Sequence, residues 1–223
     1  MNPFRLLIFD WDGTLMDSIG TIVACTQTAV RELGLREVAD ETIRGTIGLG
    51  LRETVDLLSP GCDEEMLARI LAGYRKHWLS TFRDKPLLFS GVDGMLLNLA
   101  NEGYLLAVAT GKGRRGLDYA LGQTGLRQIF HATRTADEAV SKPHPQMLFD
   151  ILGDLGVEPR DAVMIGDTTY DLEMARSARM AAVGVCSGGH GREELEQLGP
   201  LACLDQVVEL APWLAQRTEL VTA

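Results

Sequence analysis

Two acidic residues stand two positions apart in the segment Asp10-Trp11-Asp12-Gly13-Thr14. They follow the apolar run 6–9, which predicts a buried strand that ends at this turn. Open parallel sheets bind ligands where their strands end, so one carboxylate could attack a substrate while the other shuttles a proton. Taken alone, an Asp-x-Asp pair is as typical of a solvated turn, because Gly13 permits a sharp bend in either case.

A second acidic group, Gly166-Asp167-Thr168-Thr169-Tyr170-Asp171, follows the predicted strand 162–165. Asp167 is therefore expected at the same edge of the sheet, with Asp171 one helical turn further on. Converging carboxylates raise one another's pKa, and a hard cation relieves that repulsion. Oxygen ligands without His or Cys favour Mg²⁺. In isolation, however, Asp167 could equally cap a helix while Asp171 lies on the surface.

Hydroxyl and ammonium groups suited to phosphate occur in two further loops. Thr110 ends the predicted strand 104–109, and its hydroxyl could grip a phosphate together with the N–H groups of Gly111 and Lys112 at a helix start. Lys142 lies in Ser141-Lys142-Pro143-His144-Pro145, where two prolines stiffen the loop. Such a lysine could balance both phosphate and carboxylates, although a lone lysine is often simply solvated.

Strand and helix patterns alternate along most of the chain and would position these groups. Apolar runs at 6–9, 104–109, 162–165 and 181–185 predict strands, and helical patterns occupy 92–100, 147–155 and 169–178. This alternation predicts an α/β fold with a Rossmann-like parallel sheet covered on both faces.

The segment from about Met16 to Pro86 contains only helical patterns. Ser18 and Asp63 are suited to cap two of its helices. The sequence thus predicts a helical cap domain, residues 16–86, inserted into an α/β core formed by residues 1–15 and 87–223. Within the cap, the loop Gly48-Leu49-Gly50 could approach a ligand, and Arg52 after it could contact a second anionic group of the substrate or remain exposed.

The four segments that contain Asp10, Thr110, Lys142 and Asp167, in this order, resemble the motifs of the haloacid dehalogenase superfamily of phosphohydrolases. The first motif corresponds to 9–15, the second to Thr110, the third to Lys142-Pro143 and the fourth to 166–171. The resemblance spans the whole chain. The helical insert is similar to the cap of the subgroup that includes phosphoglycolate phosphatase and β-phosphoglucomutase.

The resemblance implies a mechanism in which Asp10 attacks phosphorus and forms an aspartyl-phosphate. Asp12 would protonate the leaving oxygen and then activate the hydrolytic water. An acid at position 12 favours phosphate esters, because a departing alkoxide needs a proton donor and a halide does not. A phosphatase with phosphoglycolate as its leading substrate is expected, and a phosphomutase, which needs both aspartates, stays open.

The resemblance also implies a ligand set. Mg²⁺ would be held by the Asp10 carboxylate, the Asp12 backbone carbonyl and Asp167, with Asp171 in support. The groups expected at the phosphate are Thr110, Gly111, Lys112 and Lys142.

An alternative of another class rests on Gly111-Lys112-Gly113-Arg114-Arg115-Gly116, which matches the Gly-x-Gly-x-x-Gly pattern of dinucleotide-binding oxidoreductases. This pattern follows a later strand rather than the first. The acidic residue expected after the next strand has only a loose candidate in Asp137.

The charge and amino-acid composition of the chain limit the classes of molecule that it is expected to bind. A net charge of −10 argues against nucleic acid and anionic lipid, and no apolar run approaches the ~20 residues of a spanning helix. The four cysteines form no close pair, which is typical of a reducing compartment. A cytoplasmic monomer or homodimer acting on a small phosphorylated metabolite is expected.

Overall fold

A computed structural model of the chain describes residues 4–81 and 88–222. Its centre is a six-stranded sheet with the spatial order β3-β2-β1-β4-β5-β6, and every pairing in it is parallel. The strands are β1 Leu6–Phe9, β2 Leu105–Thr110, β3 Ala132–Thr135, β4 Ala162–Gly166, β5 Ala181–Val185 and β6 Cys203–Leu204. The order reverses direction at β1, so β1, β2 and β4 form the middle of the sheet, where open α/β sheets bind ligands.

Helices connect these strands. In the part of the chain that the structure describes, they are α1 Ile19–Glu32, α2 Asp40–Arg44, α3 Leu51–Leu58, α4 Glu64–Thr81, α5 Val92–Asn101, α6 Arg114–Thr124, α7 Gln146–Leu155, α8 Thr169–Ser177, α9 Arg192–Glu196 and α10 Leu210–Thr222. None of the helices in these ranges is both long and apolar enough to cross a lipid bilayer.

Both faces of the sheet are buried. Leu7 and Phe9 of β1 pack into a cluster with α5, α6 and α10, whereas Leu6 and Ile8 pack into a second cluster with α7 and α8. All four side chains are fully buried, which explains why β1 is an unbroken apolar run rather than an alternating one. The predicted α/β fold with a parallel sheet is therefore confirmed.

The helical insert is also present. Helices α1 to α4 follow β1, and the residues described between 16 and 81 form no strand of the sheet. Asp63 caps α4 as predicted, because its Oδ1 accepts the Met66 N–H at 2.8 Å. Ser18 precedes α1, but its hydroxyl makes no capping bond and instead donates to Asp12. The predicted boundary at 86/87 lies outside the described residues, so the division at 15/16 and 86/87 stays a prediction.

Two strands were not predicted, and both lie at the edges of the sheet. β3 has the sequence Ala-Thr-Arg-Thr, and β6 contains only two residues. Edge strands are often short or polar because they pair on one side only, and these two lack the apolar run by which the inner strands were recognised.

Candidate active site

Three strand ends bring the predicted acidic and hydroxyl groups to one edge of the sheet. Asp10 follows β1, Thr110 ends β2 and Asp167 follows β4, and β1 pairs with both of the other strands. The Asp10 N–H donates to the Ile165 carbonyl at 2.9 Å, which continues the β1–β4 ladder by one residue beyond β1. The parallel direction of the three strands thus accounts for this gathering.

Lys142 lies at the centre of the acidic cluster. Its Nζ is 2.8 Å from Asp10 Oδ1 and 2.7 Å from Asp171 Oδ1, and all three side chains are buried. Burial alone would lower the pKa of Lys142, but the charges of Asp10 and Asp171 outweigh it and raise that pKa above its usual value. The lysine therefore stays an ammonium ion between the two carboxylates.

Negative charge nevertheless exceeds positive charge in this cluster. Asp10, Asp167 and Asp171 each place a carboxylate oxygen within 4.8 Å of the others. Burial raises the pKa of Asp10 well above its usual range, and the neighbouring Asp171 and Asp167 raise it further, against the opposing effect of Lys142. Burial and then Asp171 raise the pKa of Asp167 to about 7. One ammonium does not neutralise three carboxylates, so a further cation is needed for all to ionise.

The donor set fits a hard divalent cation. Asp10 Oδ2 is buried and accepts no hydrogen bond from any described residue. The ligand atoms that this cluster offers a metal ion are carboxylate oxygens, the type that Mg²⁺ prefers. An Asp10 oxygen that accepts no hydrogen bond, close to the buried carboxylate of Asp167, is suited to bind a cation. Participation of the Asp12 carbonyl stays a prediction.

Asp167 is held by groups on two loops. Its Oδ1 accepts the Thr14 hydroxyl at 2.6 Å, and its Oδ2 accepts the Gly189 N–H at 2.7 Å. A methyl group at Gly13, whose φ is +85°, or at Gly188 would overlap the Asp167 carboxylate. From the sequence, the loop that contains Gly188 and Gly189 could lie near the site because it follows the predicted strand 181–185, but no role was assigned to it.

Asp171 has two tasks. Its Oδ2 accepts the Thr168 hydroxyl at 2.7 Å and the Thr168 N–H at 3.2 Å, which completes a capping box at the start of α8. Its Oδ1 binds Lys142. Both oxygens are therefore engaged, which suits the supporting role that the sequence predicted for it.

Asp12 has a different environment from Asp10. Its Oδ1 accepts the Ser18 hydroxyl at 2.7 Å, and its Oδ2 is 2.9 Å from Lys112 Nζ. The same ammonium lies 4.1 Å from the centre of the Trp78 ring on α4. The Lys112 side chain thus links a core carboxylate to the cap, a contact that the sequence did not suggest.

A cavity of about 490 Å³ opens above these groups, between the core and the helical insert. Asp10, Asp12, Thr110, Gly111 and Lys112 line its core side. The Lys112 N–H donates to Thr110 Oγ1 at 3.1 Å, so this hydroxyl is already oriented by its own loop.

The cap loop also reaches this cavity, but Arg52 does not. Gly48 and Leu49 line the cavity, and the Gly50 N–H donates to Ser141 Oγ of the core at 2.8 Å. Arg52 is exposed and forms an ion pair with Glu64 instead. The structure therefore brings together every other predicted site residue and leaves Arg52 apart.

Residues 7–185 match the family described as haloacid dehalogenase-like hydrolase. The chain belongs to this family. It is 36% identical over 219 residues to the probable phosphatase IndB of Dickeya dadantii (strain 3937), a match that covers 94% of this chain and 92% of the relative. It is 28% identical over 214 residues to a phosphoglycolate phosphatase of Colwellia psychrerythraea (strain 34H / ATCC BAA-681), covering 92% and 95%. A crystal structure of a hydrolase from Pseudomonas syringae matches the fold with a TM-score of 0.87 at 25% identity, covering 96% of this chain and 99% of that one.

Membership of the haloacid dehalogenase-like hydrolases argues against the oxidoreductase alternative, and so does the glycine pattern's own environment. A methyl group at Gly111 would overlap the backbone carbonyls of Gly48 and Leu49, so this glycine serves close packing against the cap. Asp137 accepts the Arg114 N–H at 2.9 Å and thus occupies the start of α6, where a pyrophosphate would have to bind.

Proposed function

We propose that this protein is a Mg²⁺-dependent phosphatase that hydrolyses a small organic phosphate monoester through an aspartyl-phosphate on Asp10. One observation carries the proposal. Asp10 lines the cavity, with one carboxylate oxygen 2.8 Å from Lys142 Nζ and the other accepting no hydrogen bond from the described residues. A nucleophile must be oriented and ionised, and this environment supplies the orientation.

The proposed reaction has two steps, each of which exchanges one bond to phosphorus for another. An Asp10 oxygen forms a bond to phosphorus while the bond from phosphorus to the ester oxygen breaks, and Asp12 gives its proton to the departing alcohol. Asp12 then takes a proton from water, whose oxygen displaces Asp10 from phosphorus and releases inorganic phosphate. Splitting one difficult displacement into two easier ones is the advantage of covalent catalysis.

Charge stabilisation supports both steps. Phosphoryl transfer requires mainly positioning and neutralisation of the phosphoryl oxygens. Lys142 and Thr110 are the proposed protein groups for those oxygens, with the backbone N–H groups of Gly111 and Lys112. Mg²⁺ would be held by Asp10, Asp167 and the Asp12 carbonyl, with Asp171 in support, and when bound it supplies charge neutralisation.

The family resemblance makes phosphoglycolate the leading substrate, and a relative named as a phosphoglycolate phosphatase supports that choice. A phosphomutase of the same fold would return an isomer of its substrate with little free phosphate. A cytoplasmic location and a monomeric or homodimeric state stay predictions.

The test is release of inorganic phosphate from a panel of phosphate monoesters by the purified chain. We expect turnover with Mg²⁺ and loss of turnover when EDTA removes it. Asp10→Asn should lower the rate by on the order of 10⁴-fold or more, the loss typical of a removed nucleophile. Asp17→Asn is the matched control, because Asp17 is exposed and makes the same change of charge. Wild-type rates in Asp10→Asn, or no release from any ester, would refute the proposed function.

A further inference from the structure

We infer that the alcohol portion of the substrate is an apolar group about the size of an aromatic ring, bound in the cap side of the cavity. This inference rests on the proposed function, since it concerns the part of the ester that leaves when phosphorus is transferred. It differs from the expectation of phosphoglycolate, whose leaving group is a small charged acid.

The size of the cavity is the first argument. At about 490 Å³ it falls within the range typical of pockets for drug-sized molecules, roughly 300–1,000 Å³. A phosphoryl group and a two-carbon acid would occupy only a small part of such a volume. A larger leaving group would fill the space beyond Asp12 and displace water from it.

The walls on the cap side are the second argument. They consist largely of apolar and aromatic side chains drawn from several elements, namely Ile22, Ile43, Ile47, Tyr74 and Trp78. Ile43 and Ile47 are almost fully buried, and the Tyr74 and Trp78 rings stack with centroids 5.9 Å apart. Such walls favour an apolar ligand, because a charged group placed against them would lose its hydration without gaining a partner.

The placement of cations is the third argument. Among the described residues that line the cavity, the cationic side chains are Lys112, Arg75 and Arg115. Lys112 is already paired with Asp12, and both arginines are exposed, where water and salt weaken their attraction for an anion. Arg52, which the sequence offered as a contact for a second anionic group or as an exposed residue, does not line the cavity. No buried cation of the described cap thus awaits a substrate carboxylate.

Three esters with alkyl leaving groups separate the possibilities: 2-phenylethyl phosphate, ethyl phosphate and phosphoglycolate. The first two differ only by a phenyl ring, so intrinsic leaving-group reactivity is closely matched. We expect kcat/KM with Mg²⁺ to be at least about 10-fold higher for 2-phenylethyl phosphate than for either other ester, the lower end of what burying an aromatic ring contributes.

Variants locate the effect. Ile47→Asn should remove most of the preference for 2-phenylethyl phosphate over ethyl phosphate, and Leu57→Asn should keep that preference. Leu57→Asn is the matched control, because Leu57 is exposed on α3 and does not line the cavity. Ile22→Asn provides a second cavity variant if Ile47→Asn does not fold, as judged by thermal unfolding.

The outcomes distinguish this inference from the proposed function. Turnover with equal kcat/KM for the three esters, or a preference for phosphoglycolate, overturns the inference and leaves the phosphatase proposal intact. If no ester is hydrolysed, the proposed function fails. Calorimetric titration of Asp10→Asn then tests whether the cavity binds an apolar group. Tighter binding of 2-phenylethyl phosphate than of ethyl phosphate supports the inference, and equal or absent binding overturns it.

Discussion

The two ends of the cavity differ in every physical respect. At the core end, Asp10 lines the cavity, and the buried Lys142 Nζ lies 2.8 Å from Asp10 Oδ1 and 2.7 Å from Asp171 Oδ1. At the cap end, stacked aromatic rings and isoleucines present an apolar wall. The charged end can act on any phosphoryl group, because all phosphate monoesters share that group. Selectivity must therefore come from the apolar end.

The largest effect should follow removal of the charge at the core end. Lys142→Met leaves Asp10 and Asp171 buried without their ammonium, and breaking a buried pair costs about 3–5 kcal/mol of unfolding free energy. We expect this loss in urea unfolding without Mg²⁺, together with loss of phosphate release. Lys76→Met, at an exposed lysine, should cost less than about 1 kcal/mol. Equal stability of the two variants would contradict the charge balance described for the core end.

Asp12→Asn should have the next largest effect, a decrease of about 10²- to 10⁴-fold in turnover of alkyl esters, because both proton transfers lose their carrier. With p-nitrophenyl phosphate, whose alcohol leaves without protonation, the first step should recover while the second stays slow. Rapid-quench kinetics would then show a burst of p-nitrophenol. Ser18→Ala, which removes only the hydrogen bond to Asp12 Oδ1, should retain most of the rate. Equal steady-state loss with both types of ester and no burst would contradict the role of Asp12.

A smaller effect concerns pH. Because the native pKa of Asp167 is raised to about 7 from 3.8, the folded state binds a proton more tightly than the unfolded state does. Without metal, this group's contribution to stability is present below about pH 4 and is lost as the pH rises through about 7. In EDTA, the melting temperature should therefore fall with rising pH more steeply in the wild type than in Asp167→Asn. Mg²⁺ should restore stability at high pH in the wild type only. An identical response to Mg²⁺ in the wild type and in Asp167→Asn would contradict the role of Asp167 as a ligand.

The smallest effect is expected at Arg52. Its side chain is exposed and paired with Glu64, so Arg52→Gln should change kcat/KM for any ester by less than about twofold and should have little effect on stability. The comparison is with Ile47→Asn, measured with the same esters. A large, substrate-dependent loss in Arg52→Gln would show that an anionic group of the substrate reaches this arginine.

Inner strands were the most predictable part of the fold. The strand Leu6–Phe9 and the strand Ala181–Val185 have the bounds expected from their apolar runs. Strands covered on both faces are apolar throughout, so their signal is strong. β3 and β6 were missed because strands at the sheet edges need no such run.

Residue types and their positions after apolar runs predicted which groups gather at the candidate active site. Asp10, Thr110 and Asp167 each stand where a strand of a parallel sheet ends, and parallel strands end at one edge. That relation is local in sequence and predicted where the groups meet, whereas the expected reaction came from the resemblance of the four motifs to the haloacid dehalogenase superfamily.

Only the tertiary structure decided what surrounds each group. Lys112 joins Asp12 to the cap, Gly188 packs against the carboxylate of Asp167, and Arg52 turns to Glu64 and away from the cavity. Each of these contacts depends on the path of a loop or on the docking of the cap against the core. Periodicity and residue type carry no information on those paths, because the contacts join segments that are distant along the chain.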